Sequence, residues 1–458
     1  MKKEVDLTKM DLKSAVFHLA LPMMAGGFLI NTFAIVDLFF VGKLGYMALA
    51  GLSVSVMVLT IITIFTTGIT TGTVALISHF IGKKDYDSAN QVLWQTIILS
   101  LIFWLLLAIV GLFGIEFLLK IFGAKGEVLT TAKPYLRVSF LTSGFLFLHV
   151  TLNQSMRGAG DAKTPMYVLI VANIINLILD PLLIFGLWIF PRMEVAGSAI
   201  TTAASRFIGF SIITIILFRR KEGLRLNLKH FGAKFIYIKR IISVGFFSSM
   251  QLLMNNISLL FLTRLVALHG PEALAAYGVG TKIRMLLVVP GFGFANASAI
   301  LMGQNMGADK KKRAKDSMMF AIKMFEILLF PAVLLIFILA PQIVSLFNNN
   351  SVVMSTGATY LRYIMLTFPF LGVSMIMQRG LTGVGDTAFP TVIVGFFSLF
   401  LRIPLAYLLS LKTSLGTSGV WLGINAADIF LCFAILAYFN SGRWKRVYSH
   451  HRRLLEET

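Results

Sequence analysis

Four acidic residues of this 458-residue chain fall inside long apolar stretches: Asp37, Asp180, Glu326 and Asp428. A carboxylate surrounded by hydrocarbon is costly, so an acid kept there is by default a candidate for handling ions or protons. Asp180 follows Asn173 and Asn176 at i, i+3 and i+7, which share one helical face. The next apolar stretch adds Ser198, Thr201, Thr202 and Ser205. Two carboxylates near each other cannot both ionise cheaply, so such a pair titrates as a unit. With Asn and Thr oxygens beside it, the pair suits a proton or a small hard cation such as Na+. Either occupant changes the local charge by one, which is enough to bias a two-state element. Asp428 and Glu326 have no polar cluster on their own faces. Arg206, Lys282, Arg284 and Arg402 are available to neutralise those two acids or to snorkel toward headgroups.

The composition says what holds these acids. Hydrophobic residues make up 57% of the chain and charged residues 13%, with a mean hydropathy of +0.83. Soluble domains carry about 25% charged residues, so an ordinary soluble enzyme, a disordered chain and a disulfide scaffold are excluded. The single cysteine, Cys432, has no internal partner. Lys and Arg number 41 against 20 acids, a net charge of +21. In an apolar chain that excess marks cytoplasmic loops and not nucleic-acid binding. Twelve runs are long enough to cross a bilayer, each needing roughly 20 residues. They lie near 15–40, 52–80, 92–119, 134–155, 165–190, 196–218, 241–267, 279–303, 318–346, 357–378, 388–411 and 418–440. The fold class is therefore an all-α polytopic membrane protein with twelve transmembrane helices. The first run is too long, and its entry too polar, for a cleaved signal peptide. The N-terminus (Lys2, Lys3, Lys9, Lys13), the even-numbered loops and the tail hold 27 of the 41 cations, against about 7 in or beside the odd-numbered loops. Both termini are expected in the cytoplasm, with segments 219–240 and 310–315 as solvated basic loops beside anionic headgroups. Asp37 and Asp180 then fall in the outer half of the bilayer.

The chain repeats itself at an offset of 225. Gly158-Ala159-Gly160-Asp161 with Pro165 recurs as Gly383-Val384-Gly385-Asp386 with Pro390. Tyr135-Leu136-Arg137 matches Tyr360-Leu361-Arg362, Ala48-Leu49-Ala50 matches Ala273-Leu274-Ala275, and Gly82 matches Gly307. Two six-helix copies with the same topology should form two lobes about a pseudo-two-fold axis along the membrane normal. The expected division is an N-lobe over 1–218, a basic cytoplasmic linker over 219–240, a C-lobe over 241–440 and a basic tail over 441–458. The acids break the symmetry. At +225, Asp37 becomes Leu262, Asn176 becomes Leu401 and Asp180 becomes Leu405. The C-lobe offers Gln251 and Asn255 on its first span, which bond but do not titrate.

These residues resemble the multidrug and toxic compound extrusion (MATE) transporters over nearly the whole chain. The resemblance rests on Pro22, Val36-Asp37, Val41-Gly42-Lys43-Leu44-Gly45, Arg157-Gly158-Ala159-Gly160-Asp161 with Thr164-Pro165, and Asp180-Pro181-Leu182-Leu183-Ile184-Phe185-Gly186. Ala196-Gly197-Ser198-Ala199-Ile200-Thr201-Thr202 and Gly303-Gln304-Asn305-Met306-Gly307-Ala308 complete it. It implies extrusion of small organic, often cationic, compounds in exchange for H+ or Na+, by rocking-type alternating access. It further implies a cation site at Asp37, Asn176, Asp180 and Thr202, with Tyr135, Asn153, Asn173, Gln251 and Asn255 facing the substrate cavity and Pro22 bending the first helix. Gln251 replaces an acid that some members carry on span 7, and span 10 has none, so the resemblance favours a DinF-like or archaeal-like branch over a NorM-like one. A monomer in a prokaryotic inner membrane is expected, with neither a cofactor nor a structural metal. A flippase for lipid-linked precursors, from the same superfamily, is the alternative. The chain has no nucleotide-binding motif: Lys163-Thr164 lacks the glycine spacing of a phosphate loop. An enzyme is not expected.

Overall fold

In a bilayer every backbone N–H and C=O must be paired within the segment, which leaves helices as the available solution for apolar runs of this length. The computed structural model describes residues 6–456, with side chains through Ser449, and its regular elements are helical. Lys2, Lys3 and the last two residues of the basic tail lie outside the described residues. The helices of the first repeat are α1 (Leu12–Gly42), α2 (Tyr46–Lys83), α3 (Tyr86–Phe113), α4 (Ile115–Ile121), α5 (Gly126–Leu141), α6 (Ser143–Gly158), α7 (Lys163–Phe185) and α8 (Glu194–Arg219). Those of the second are α9 (Phe235–Ala267), α10 (Pro271–Gly307), α11 (Lys311–Ile338), α12 (Ala340–Ser345), α13 (Ser351–Gly383), α14 (Ala388–Gly395), α15 (Arg402–Leu411), α16 (Thr417–Asn440) and α17 (Arg443–Glu456).

Among the described residues eleven helices are long and apolar enough to span a bilayer, with α14 and α15 counted as one. The bent pair α5–α6, which turns by 50° at Thr142, makes twelve. Its repeat counterpart α13 runs unbroken. The outward faces carry exposed Ile35, Leu105, Leu260, Phe330 and Phe400, a surface suited to lipid and not to water. Between α14 and α15 a π turn, Phe396–Leu401, interrupts the span. Ser258 Oγ on α9 donates to the Ser398 carbonyl over 2.8 Å there, so a backbone oxygen of the bulge is satisfied by a side chain.

Contacts divide the chain into two units, one built mainly from Leu21–Gly245 and the other from Thr8–Ala20 with Phe246 onward. The chain passes from the second unit to the first between Ala20 and Leu21, one residue before Pro22 in α1. It passes back between Gly245 and Phe246 in α9. These two crossings are themselves 225 residues apart, the offset of the internal repeat. In the first unit the opening of α9 lies hard against α2. A Cβ on Gly72 would come within 2.3 Å of the Ile241 carbonyl oxygen, and one on Gly245 within 2.4 Å of the Gly68 carbonyl oxygen.

The basic segments are anchored, that of 219–240 through its backbone, while Lys221, Lys229, Lys234 and Lys239 stay exposed. Residues 219–240 are stitched to α3. Arg225 N–H donates to Asn90 Oδ1 over 2.8 Å, Trp94 Nε1 to the Asn227 carbonyl over 2.9 Å, and Gln95 Nε2 to the Gly232 carbonyl over 2.8 Å. Leu224 and Leu226 are buried beneath them. In the second unit Lys310 Nζ donates to the Thr8 carbonyl over 2.8 Å and Arg313 donates to the Met10 carbonyl. The start of the tail forms α17, where Trp444 stacks on Phe439 at 5.3 Å and Tyr448 donates to the Met306 carbonyl over 2.9 Å.

The repeated Gly-x-Gly-Asp sequence is a turn with an anchoring acid. Gly160 and Gly385 take positive φ (99° and 82°), where a side chain is strained. Asp161 then accepts from the Thr164 N–H over 3.0 Å and from Thr164 Oγ1 over 2.8 Å, and pairs with Arg220 beyond α8. Asp386 is buried and accepts from Tyr438 Oη on α16 over 2.6 Å. Each acid thus fastens its turn to a later part of its own repeat, the C-terminal end of α8 in one and α16 in the other. Burial pushes the Asp386 carboxyl up from its ordinary value. Its folded state therefore binds the proton more tightly than the unfolded chain, so its contribution to stability is present at acid pH and is lost as pH rises through the folded value. Tyr438→Phe removes the donor that helps a charged Asp386. We expect a loss of about 1–3 kcal/mol at neutral pH, shrinking on acidification, read as thermal stability across a pH series.

Candidate cation-coupling site

Three helices of the first unit converge on the acids. Asp37 lies five residues before the end of α1, Asn176 and Asp180 are one turn apart on α7, and Ser198, Thr201 and Thr202 open α8. The α7–α8 connection turns at Gly186 (φ 70°), and Gly197 lets α8 press onto α7: a Cβ there would fall 2.7 Å from the Leu183 carbonyl oxygen. This close crossing sets the α8 hydroxyls against the α7 acid. Pro181 follows Asp180 within α7 and has no N–H, so the carbonyl of Leu177 loses its helical donor at the same level.

The Asp37 and Asp180 carboxyl groups are direct neighbours, with Asn176 and Ser198 also around Asp37 and Thr201 beside Asp180. Thr202 Oγ1 donates to Asp37 Oδ2 over 3.4 Å. Asp180, fully buried, has no hydrogen-bond donor on either carboxylate oxygen. The same holds for Oδ1 of Asp37, for both amide atoms of Asn176 and for the Ser198 hydroxyl. Buried polar atoms are normally paired, and orphans at this density mark a place built for something that binds. All the donors in the set are oxygens or amides, which fits a proton or a hard monovalent cation. Among the described residues no three His, Cys, Asp or Glu side chains gather as a transition metal requires.

Arg206, one turn beyond Thr202 on α8, is within electrostatic reach of Asp37 and of Tyr135. From sequence this cation is expected to neutralise Asp428 or Glu326 or to snorkel toward headgroups. The structure places it at the acid pair instead, and its i+4 spacing from Thr202 was the available signal. Tyr135 is buried near Asp37, Asp180 and Arg206, with Ser139 beside its hydroxyl. The pair and Arg206 together carry a formal charge of −1, which one proton or one Na+ brings to zero.

The remaining expected residues are bonded as follows. Asn153 Nδ2 is bonded within α6 to the His149 carbonyl over 2.7 Å, and Asn173 Nδ2 within α7 to the Leu169 carbonyl over 2.8 Å. In the second unit Gln251 donates to Gln378 on α13, and Ser398 Oγ donates to Asn255 Oδ1 over 3.2 Å. Asp428 pairs with Arg284 at 3.3 Å and Arg402 at 2.5 Å, two of the cations proposed for it from the sequence. Glu326 pairs with none of those cations. It lies against Gly372 of α13, and its Oε1 has no hydrogen-bond partner.

A protein-family model described as MatE matches residues 22–182 and again 245–408, one match per repeat. The chain belongs to this family. MATE proteins are transporters and not enzymes, and this one is a multi-pass membrane protein. It is 27% identical over 438 residues to a probable multidrug resistance protein NorM of Thermotoga maritima, covering 95% of this chain and 94% of that protein. It is also 27% identical to an FAD transporter of Shewanella oneidensis, covering 95% and 96%. A crystal structure of a MATE protein in the bent conformation superposes with a TM-score of 0.91 at 26% identity, over 98% of this chain and all of that one. The twelve-span MATE fold expected from the sequence is therefore the fold observed.

Proposed function

We propose that this MATE protein is a secondary antiporter that exports small organic compounds in exchange for H+ or Na+, with the cation taken up at Asp37, Asn176, Asp180 and Thr202. One observation carries the reading: two adjacent carboxyls inside apolar helices, ringed by orphaned amide and hydroxyl groups. An occupant must pay for that charge and is released when the geometry changes, which is the requirement for coupling. Asp37 rides on α1, whose opening residues 12–20 belong to the other unit and which contains Pro22. A bend at Pro22 is the proposed route from an occupied site to rocking of the lobes.

Coupling through the N-lobe alone, as in a DinF-like branch, is supported by the second unit. Gln251 is bonded to Gln378, and α13 carries no acid. Substrates of multidrug type are supported by the relatives' names, which also make the flippase reading the less favoured one. A monomer with both termini in the cytoplasm of a prokaryotic cell completes the proposal. The test is efflux of ethidium from proteoliposomes in which proton and sodium gradients are imposed separately. Efflux driven by one gradient is the expected result, and efflux indifferent to both overturns the proposal.

A further inference from the structure

The second unit holds an ionic cluster of opposite sign at the middle of its spans. Asp428 (α16) is gripped by Arg284 (α10) at 3.3 Å and by Arg402 (α15) at 2.5 Å. Two guanidiniums face one carboxylate, a formal excess of +1, whereas the first unit sets two acids against Arg206. Arginine does not lose its proton, so this excess is permanent. Two guanidiniums offer about ten N–H donors, and one carboxylate has about four acceptor sites. Arg402 Nε has no hydrogen-bond partner. Glu326 is placed elsewhere on α11, and Lys282 is exposed on α10, so neither alters the balance.

The repeat ties the two clusters together. Tyr135, beside the acid pair, and Tyr360, beside Arg284, are the same repeat position. Tyr360 is fully buried, fixed by Trp421 at 4.6 Å and Tyr277 at 5.5 Å, with its hydroxyl toward Arg284. The side chains of Arg284 and Arg402 keep 23% and 13% of their surface, while Asp428 keeps 2%. The cations are thus the accessible part of the cluster and the acid lies behind them.

We propose that Arg284, Arg402 and Tyr360 form a binding site for an oxyanion, the carboxylate or phosphate of an organic solute, with Asp428 orienting the two guanidiniums. Charge-assisted bonds from planar guanidiniums suit this group, and an arriving anion brings the cluster to neutrality. The inference deepens the transport reading by naming a substrate class. It is tested by binding without any gradient, so it stands or falls separately from coupling at Asp37 and Asp180.

The probes are flavin mononucleotide and riboflavin, which share a fluorescent ring and differ by one phosphate. Binding is measured on the full-length protein in nanodiscs of phosphatidylcholine. The mononucleotide should bind at least about tenfold tighter, and Arg402→Gln, which leaves the Arg284–Asp428 pair intact, should erase the difference. Asp428→Asn should tighten mononucleotide binding, because it removes the competing carboxylate and keeps both cations. A merely structural ion pair would show no such gain. Equal binding of the two flavins, or unchanged discrimination in Arg402→Gln, overturns the proposal. So does loss of binding on adding phosphatidylglycerol, which would make a lipid headgroup the occupant.

Discussion

Asp180→Asn, and separately Asp37→Asn, should lower gradient-driven efflux by about a hundredfold, equivalent to about 2.7 kcal/mol of lost cation binding. The reason lies in the local charge. With either acid neutralised, the remaining carboxylate is balanced by Arg206, and the site no longer gains from taking up a proton or Na+. Neither variant should unfold the protein, since each removes one of two carboxyls that crowd each other. Thermal stability measured on the same preparations should be unchanged or raised. Thr202→Ala removes only a donor at 3.4 Å and should cost far less than either acid. Full coupling retained in both Asp variants would exclude this pair as the site.

The second large effect is structural. Gly72→Ala places a methyl 2.3 Å from the Ile241 carbonyl oxygen, closer than any real contact, and the obstacle is backbone rather than a side chain that can turn aside. α2 and the start of α9 must separate, at a cost of about 1–3 kcal/mol or more, and Gly72→Leu should prevent accumulation of folded protein. Gly278→Ala is the matched control. It is also helical, has nothing within 4 Å, and should be neutral or slightly stabilising. Comparing the two Ala variants by thermal unfolding in detergent separates close packing from helix propensity. Equal melting temperatures would show that this crossing tolerates a wider spacing.

The spans and the acid pair were legible for physical reasons. Hydrocarbon demands long apolar helices, and it makes each intramembrane acid conspicuous, so Asp37 and Asp180 stand out by depth, while the set Asp37, Asn176, Asp180 and Thr202 is what the family resemblance implies. Side chains whose meaning is set by tertiary neighbours were less readable. Arg206 has no marker in its own helix apart from its spacing to Thr202. The family resemblance implies that Asn153 and Asn173 face the cavity, but no local pattern shows that each Nδ2 donates to a carbonyl one turn back. The anchoring of residues 219–240 by Asn90, Trp94 and Gln95 joins segments more than 130 residues apart, beyond the reach of any local pattern. The π turn at Phe396–Leu401 likewise has no local signature, since its freed carbonyl is answered by Ser258 from another helix.

The crossings within α1 and α9 bear on how the chain is made. A repeat is contiguous in the gene, but neither unit is: residues 8–20 are counted with material that begins at residue 246. Ribosomes add about 5–20 residues per second, so the opening segment of α1 waits roughly 10–50 seconds for the helices it will join. Through that interval the first repeat sits in the bilayer lacking the α9 segment that lies against Gly68 and Gly72. Its assembly is completed only by residues translated after the linker. Neither half of the sequence, cut at the linker, contains every segment of a contact unit.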